Sequence, residues 1–343
     1  MNRLACALCC VAALITSWGC EQVPLDFDLG DDIATPIAFT GPAPRWISWS
    51  ADSEYAAFEL GGQLVVATGA DMKDAVAITG HSTYGHPSWS PDAKELVYDH
   101  PRERFRQATL WIRVALPEEA GEDDTLEPPR ELSNVPKRDW MPTWSPRGDW
   151  IAFHSTREPV SHVWVMRPSG EDVRFLAPAV SEENSLAWSP SGDELAYVSS
   201  IAGKSDIWVV NPDTGATRLI TGGEGRHARP RWSPDGDELG YISGAGGGWD
   251  VWRASVDGST EPTQVTSNGD VGLFHWVAGG EAVMYLTGDS EIFARGVDGN
   301  EAELVRKAAT FSVAPDGARY IHVQAEQNYF RYYAESMPAD LMP

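Results

Sequence analysis

The sequence predicts an all-β fold, a β-propeller of seven four-stranded blades, and three observations lead to this prediction. A short motif, Trp-Ser-Pro-Asp-Gly or a close variant, recurs along most of the chain. The copies follow one another at intervals of 37 to 55 residues, a period typical of propellers and other repeat folds. The segments between the copies are short β-type runs without helical periodicity.

Each repeat is marked by the last residue of a short apolar run, which is tryptophan in six copies and valine in the seventh. These positions are Trp49, Trp89, Trp144, Trp188, Trp232, Trp276 and Val313. The Ser-Pro-Asp-Gly that follows supplies a hydroxyl, a fixed φ, a side chain that bonds its own backbone and a residue that tolerates positive φ. This combination predicts a tight hairpin turn. We interpret the six tryptophans as structural residues that pack between neighbouring blades.

Three further strand segments follow each turn. After Trp188 they are "ELAYVS", "SDIWVVNPDTG" and "ATRLITGG", each rich in β-branched and aromatic residues and bounded by turn formers. The last repeat supplies only three strands, whereas a segment of the fourth-strand type, "ATPIAFTGP" at 34–42, precedes the first repeat. We expect this N-terminal strand to complete the last blade, because closure removes an open sheet edge.

Seven blades are therefore predicted, with six or eight as alternatives. The predicted propeller covers 34–333, and a C-terminal tail covers 334–343.

The motif "WSPDG", followed by "LAY", "IWV" and "RLIT", resembles the repeats of the TolB-type β-propeller family. The resemblance covers about 35–333 and implies the propeller fold. It leaves function open, since similar repeats occur in periplasmic scaffold proteins, in propeller domains of serine peptidases and in some oligogalacturonate lyases. The type member is expected to have six blades and an N-terminal α/β domain, so a seven-bladed chain departs from that pattern.

The N-terminus has the pattern of an export signal. A basic start at Arg3 is followed by an apolar run and by "SWGC" at 17–20, which predicts a signal peptide over 1–19. The sequence "SWGC" resembles a bacterial lipobox, and this resemblance implies cleavage before Cys20 and lipidation of its thiol. An ordinary secretory signal is the alternative. Residues 20–33 form a predicted acidic tether, and we expect an envelope protein held at the membrane by its lipid anchor alone.

Composition and charge exclude one class of partner. The formal net charge is −24, and a strongly acidic surface repels nucleic acids, so we expect no nucleic-acid binding. A hydrophobic fraction of 42% is enough to fill a core. We expect a monomer whose partner is an envelope protein or peptide.

The segments that enter the first strands are the predicted binding mouth. In a propeller these segments meet at one end of the central channel, where loops from every blade converge on a rigid ring. Their chemistry varies from blade to blade, while the strand that follows is repetitive. The candidate binding residues are Arg45, Trp46, Tyr84, His86, Asp139, Trp140, Asn184, His227, Arg229 and His275.

No catalytic motif is recognisable. The eight histidines show no H-x-x-x-H or H-E-x-x-H spacing, so neither a catalytic residue nor a metal or other cofactor is predicted. The sequence therefore favours a non-enzymatic scaffold that binds a protein or peptide through the channel mouth. The alternative is a glycan-binding or glycan-degrading propeller similar to oligogalacturonate lyases, in which His86, His227 and His275 would converge.

Overall fold

The structure is a computed structural model that describes residues 37–39, 46–60, 63–69, 74–79, 85–102, 107–114, 128–133, 135–178, 186–201, 204–223, 225–299, 303–325 and 330–341. The chain divides into two units, Met1–Asp31 and Asp32–Pro343, and all of the described residues belong to the second. The predicted signal peptide, Cys20 and the acidic tether lie outside the described residues. Within the described ranges, no helix has the length and apolarity needed to cross a membrane.

The strands of the first three blades are numbered in chain order after β1, which is Ile37–Phe39. Blade 1 consists of β2 (Ile47–Trp49), β3 (Tyr55–Leu60), β4 (Gln63–Thr68) and β5 (Asp74–Ala77). Blade 2 consists of β6 (Ser88–Trp89), β7 (Glu95–Arg102), β8 (Gln107–Val114) and β9 (Arg130–Glu131). Blade 3 consists of β10 (Asp139–Trp144), β11 (Ile151–Ser155), β12 (His162–Met166) and β13 (Arg174–Ala177).

The remaining strands form four more blades. Blade 4 consists of β14 (Leu186–Trp188), β15 (Leu195–Ile201), β16 (Lys204–Val210) and β17 (Thr217–Leu219). Blade 5 consists of β18 (His227–Trp232), β19 (Glu238–Ser243), β20 (Asp250–Ser255) and β21 (Thr263–Gln264). Blade 6 consists of β22 (Val271–Val277), β23 (Ala282–Thr287), β24 (Glu291–Gly296) and β25 (Glu303–Lys307). Blade 7 contains β26 (Thr310–Val313), β27 (Arg319–Ala325) and β28 (Phe330–Ser336).

The N-terminal strand closes the ring. Strand β1 pairs antiparallel with β28, with Ile37 opposite Tyr332, and gives blade 7 the order β1-β28-β27-β26. The innermost strand of each blade contacts that of the next, including β26 against β2. The predicted fold, seven four-stranded blades completed by the N-terminal strand, is confirmed.

The hydrophobic core is divided among the blade interfaces. The described residues form seven buried clusters, and each one is shared by two neighbouring blades. At the closure, Phe58 of blade 1 packs against Tyr332 of blade 7 with their ring centroids 4.7 Å apart. Because every sheet buries both of its faces in this way, the ring holds the inner strands in fixed positions.

The repeated turn has the geometry that its residues predict. The Ser233 hydroxyl donates to Asp235 Oδ1 at 2.5 Å and accepts from the Glu238 backbone N–H at 2.9 Å. Gly236 takes a φ of +83°, a left-handed conformation that glycine adopts at low cost. These bonds fix the register of the hairpin that leaves each innermost strand.

Four of the repeat tryptophans bond to the preceding blade. The indole N–H of Trp89, Trp188, Trp232 and Trp276 donates to a carbonyl oxygen in the innermost strand of the neighbouring blade, at 2.9 to 3.1 Å. In each case the acceptor is the residue just before that blade's own repeat tryptophan. The tryptophans thus combine buried area with a directional bond between blades.

The C-terminal boundary differs from the prediction. Strand β28 runs to Ser336, beyond the predicted limit at 333, and a 3-10 turn follows at Ala339–Leu341. Met337 and Leu341 are buried in the cluster between blades 6 and 7. Apolar side chains therefore hold the end of the predicted tail against the propeller.

Candidate functional site

A channel lies at the centre of the ring and has a volume of about 1020 Å³. All seven innermost strands contribute to its wall, with the residues Ile47, Ser88, Met141, Ala187, Arg231, Gly272 and Thr310 as one representative from each. Ligand pockets in proteins are typically about 300–1,000 Å³, so the channel is large enough for a ligand of several residues.

Four of the predicted binding residues line the channel. They are Trp46, His86, Arg229 and His275. Three others, Arg45, Tyr84 and Asn184, lie outside the described residues. The structure thus brings residues of blades 1, 2, 5 and 6 together around one cavity.

Three predicted binding residues lie elsewhere. Asp139 is fully buried and accepts hydrogen bonds from the Ser155 hydroxyl at 2.5 Å and from Arg157 Nη2 at 2.8 Å. Trp140 is 1% exposed and stacks on His154, with ring centroids 5.5 Å apart. These side chains therefore belong to the interior of blade 3 and do not form the channel mouth.

His227 is also buried within its blade. It is 4% exposed, packs edge-on against Tyr241 at 5.5 Å, and its Nε2 lies 3.9 Å from Asp206 Oδ1. Burial lowers the pKa of His227, with the Asp206 charge acting in the opposite direction. His227 does not line the channel, so it does not join His86 and His275 there. Among the described residues, no group of three or more His, Cys, Asp or Glu side chains is placed to hold a metal ion.

A β-bulge explains why Met141 lines the channel in place of Trp140. The register between β10 and β11 shifts between Trp140 and Thr143, and Met141 takes a φ of +52°. The same shift occurs in β18 between Ala228 and Arg231, where Arg229 has a φ of +54°. Positive φ is uncommon for residues other than glycine and is found most often where the surrounding structure imposes it, including at functional sites. In both blades the bulged residue faces the channel.

One side of the channel is organised around Asp99, which lies in β7 and is 3% exposed. Its Oδ2 accepts the backbone N–H of Met141 at 2.9 Å and lies 2.6 Å from His86 Nδ1. The His86 ring contacts Trp46, with centroids 4.5 Å apart. Asp99 therefore holds the His86 side chain of blade 2 and the Met141 backbone of blade 3 at the channel wall, although it does not itself face the channel.

In contrast to the carboxylate that organises the first side, basic side chains line the channel in blades 5 and 6. Arg231 is part-buried in β18, and burial, followed by the charge of Arg229, lowers the pKa of Arg231 to about 10. His275 packs against Phe311 at 5.1 Å, and burial, followed by Arg231, lowers its pKa well below the ordinary value of 6.5. At neutral pH the arginine is charged and the imidazole is neutral.

Sequence reasoning missed Met141, Asp99 and Arg231, and two of these carry a signal in the repeat. Arg231 stands immediately before the repeat tryptophan, where blades 1 to 4 have Ser48, Ser88, Thr143 and Ala187. Asp99 is a carboxylate that directly follows the apolar run Leu-Val-Tyr of β7, at a position where blades 4 to 6 have Val198, Ile242 and Leu286. A position-by-position comparison of the repeats would have identified both departures.

The sequence profile of the TolB β-propeller domain matches residues 141–337. No curated protein matches.

Three solved structures illustrate the similarity of fold. An oligogalacturonate lyase in complex with manganese has a TM-score of 0.69 at 13% identity, covering 94% of this chain and 98% of that one. An oligogalacturonate lyase from Vibrio parahaemolyticus has a TM-score of 0.64 at 13% identity, covering 89% and 92%. TolB from Acinetobacter baumannii has a TM-score of 0.51 at 13% identity, covering 84% and 78%. At these identities the structures establish the fold alone, whereas the profile match spans more than half of the sequence. The chain therefore belongs to the TolB β-propeller domain family.

Proposed function

We propose that this protein is a non-enzymatic propeller of the bacterial cell envelope that binds a segment of a partner protein in its central channel. The observation that carries the proposal is the channel itself, which has a volume of about 1020 Å³ and receives side chains from all seven innermost strands. These side chains differ from blade to blade, while the turns and tryptophans that hold the ring are repeated.

The rigidity of the channel wall supports binding. Each innermost strand is fixed by buried clusters on both sides, and four of the seven are tied to the next blade by an indole N–H. A wall that is already ordered loses little conformational entropy when a ligand arrives, so more of the contact energy appears as affinity.

The composition of the wall supports a peptide ligand. Apolar side chains and prolines make up most of it, including Ile47, Leu186, Leu273, Leu286 and Phe311. A few polar groups are placed among them. This mixture is typical of sites that bury apolar ligand groups and orient them with a small number of polar contacts.

The proposed location follows from the N-terminal sequence. Export by a signal peptide over 1–19 and lipidation of Cys20 would hold a monomeric propeller at the membrane by its lipid anchor, with 20–33 as the tether. The net charge of −24 disfavours nucleic acid as a partner.

The proposal is tested by adding one side chain to the channel and leaving its other wall residues unchanged. Gly272 lines the channel, and a Cβ added there would meet only the Leu286 carbonyl oxygen, at 4.0 Å. Gly272→Phe should therefore fold and narrow the channel. The matched control is Gly222→Phe, since Gly222 is exposed and does not line the channel. The lipidated wild-type chain and both variants are used to capture proteins from solubilised envelopes.

We expect the wild type and Gly222→Phe to retain the same partner polypeptide in stoichiometric amount, and Gly272→Phe to lose it at unchanged thermal stability. Equal capture by Gly272→Phe, or no partner for the wild type, would overturn the proposal. Retention of an oligosaccharide in place of a protein would favour the glycan-binding alternative.

A further inference from the structure

The charge of the channel wall is opposite to that of the whole chain. The chain carries a formal net charge of −24. Among the described residues that line the channel, two are arginines, Arg229 and Arg231, and none is aspartate or glutamate. The wall of this acidic protein is therefore locally cationic.

Arg231 is the central group in this pattern. Its backbone carbonyl accepts the Trp276 indole N–H at 3.0 Å, which fixes the main chain at the channel wall. Within the described part of the chain, no hydrogen bond or ion pair involves its guanidinium. A partly buried cation without a counter-charge is costly, and an anion that reaches it recovers this cost.

The neighbouring groups do not neutralise this charge. His275 is kept neutral near pH 7 because burial and the adjacent Arg231 lower its pKa well below 6.5. The Asp99 carboxylate is 3% exposed and already lies within hydrogen-bond distance of His86 and the Met141 N–H. Since none of the described carboxylates compensates Arg231, we look to a ligand for the anion.

We propose that the channel binds the carboxylate of a peptide, with the Arg231 guanidinium as its principal contact and Arg229 as a second source of positive charge. This inference rests on the proposed function and adds the chemistry of the ligand. Arginine suits this role because its planar fork of N–H donors matches both oxygens of a carboxylate.

The surroundings favour a peptide over an acidic sugar as the source of the carboxylate. Leu273, Leu286 and Phe311 line the same channel and offer apolar surface next to the arginines. An oligouronide exposes hydroxyl groups on every ring and loses hydrogen bonds against such a wall. A peptide with a carboxylate next to apolar side chains can pair with the arginines and bury its apolar groups against the same wall.

The negative surface does not cancel the attraction. At 0.15 M ionic strength the screening length is about 8 Å, so distant surface charges are largely screened while a part-buried pair is screened much less. Binding should weaken at higher salt, but less steeply than for an exposed ion pair.

The test uses the full chain and labelled apolar hexapeptides in a fluorescence anisotropy titration. One peptide ends in a free carboxylate, the second is its C-terminal amide, and the third is the amide with a glutamate next to the end. The variants are Arg231→Gln, Arg231→Lys and Gly272→Phe. The control is Arg253→Gln, because Arg253 pairs with Glu238 at 3.2 Å and does not line the channel.

We expect a peptide carboxylate to strengthen binding at least tenfold over the plain amide. The first and third peptides show whether the carboxylate is terminal or belongs to a side chain. Arg231→Gln should remove the tenfold preference, Arg231→Lys should retain part of it, and Arg253→Gln should leave it unchanged.

The two proposals fail in different ways. If all three peptides bind equally, Arg231→Gln has no effect and Gly272→Phe abolishes binding, the carboxylate inference is overturned while the channel remains the binding site. If no peptide binds but an oligogalacturonide binds in an Arg231-dependent manner, the ligand class is overturned. If Gly272→Phe leaves peptide binding unchanged, the proposed function itself fails.

Discussion

Acid should destabilise this propeller through a buried histidine in blade 3. His154 lies in β11, is fully buried and stacks on Trp140 with an interplanar angle of 25°. Burial, followed by the charges of His86 and Arg138, lowers the pKa of His154 from 6.5 to about 4. The folded protein therefore holds this ring neutral at pH values where the unfolded chain protonates it.

The sign and size of the effect follow from proton linkage. Between pH 6.5 and pH 4 the unfolded state binds more protons than the folded state, so the free energy of unfolding falls as the pH falls. Above pH 6.5 His154 contributes no pH dependence, and below pH 4 its effect levels off at about 3 kcal/mol. At pH 4.5 the loss attributable to His154 is between about 2 and 3 kcal/mol.

The assay compares urea unfolding at pH 7.5 and pH 4.5 for the wild type and for two variants that cannot titrate, His154→Phe and His154→Gln. Other buried histidines such as His322, whose pKa is also lowered to about 4, contribute to every chain and cancel in the comparison. The wild type should lose between about 2 and 3 kcal/mol more than either variant between the two pH values. The same loss in all three chains would refute the assignment of a neutral, buried His154.

Three further substitutions test other contacts. Asp139→Ala removes the carboxylate that lies 2.8 Å from Arg157. Urea unfolding should show that the free energy of unfolding falls by about 3–5 kcal/mol. A fall below about 1 kcal/mol would contradict a buried ion pair. Gly236→Ala forces alanine to a φ of +83°, where its Cβ would meet nothing closer than 3.5 Å. We therefore expect only the backbone cost of about 1 kcal/mol, which should appear as a fall in Tm of about 2 °C. Unchanged Tm would show that the turn relaxes. Trp188→Phe removes the indole N–H that donates to the Thr143 carbonyl oxygen at 3.1 Å. Calorimetry should show that the free energy of unfolding falls by about 1–2 kcal/mol. An unchanged free energy would show that this hydrogen bond between blades does not stabilise the fold.

The fold was predictable because its determinants are local and repeated. The side chains of the Ser-Pro-Asp-Gly turn form hydrogen bonds within a few residues of one another, as those of Ser233 and Asp235 do. Each hairpin can therefore be predicted from the residues of its own repeat. Ring closure was predictable from a missing fourth strand, and the register of Ile37 against Tyr332 agrees with it. No long-range side-chain contact had to be anticipated.

The site was only partly predictable because β-bulges and cross-strand side-chain contacts are difficult to recognise in a single sequence. Trp140 was expected at the mouth, but the shift in register before Thr143 turns Met141 to the channel instead. Asp139 was expected beside it, yet its partner Arg157 lies 18 positions away on the far side of a hairpin. A spacing rule cannot foresee such a pairing. Arg231 was within reach of sequence reasoning, since it interrupts a position held by small residues in blades 1 to 4.

The central claim is that the channel binds the partner. It is tested most directly with two variants that each carry a photo-crosslinking amino acid in place of one leucine. Benzoylphenylalanine replaces Leu273, which lines the channel, or Leu219, which is 48% exposed on the outer strand β17. Irradiation is carried out in intact envelopes, and the cross-linked peptides are identified by mass spectrometry. We predict one partner segment joined to position 273 and absent from position 219. The same products from both positions, or a partner joined only at 219, would contradict the account.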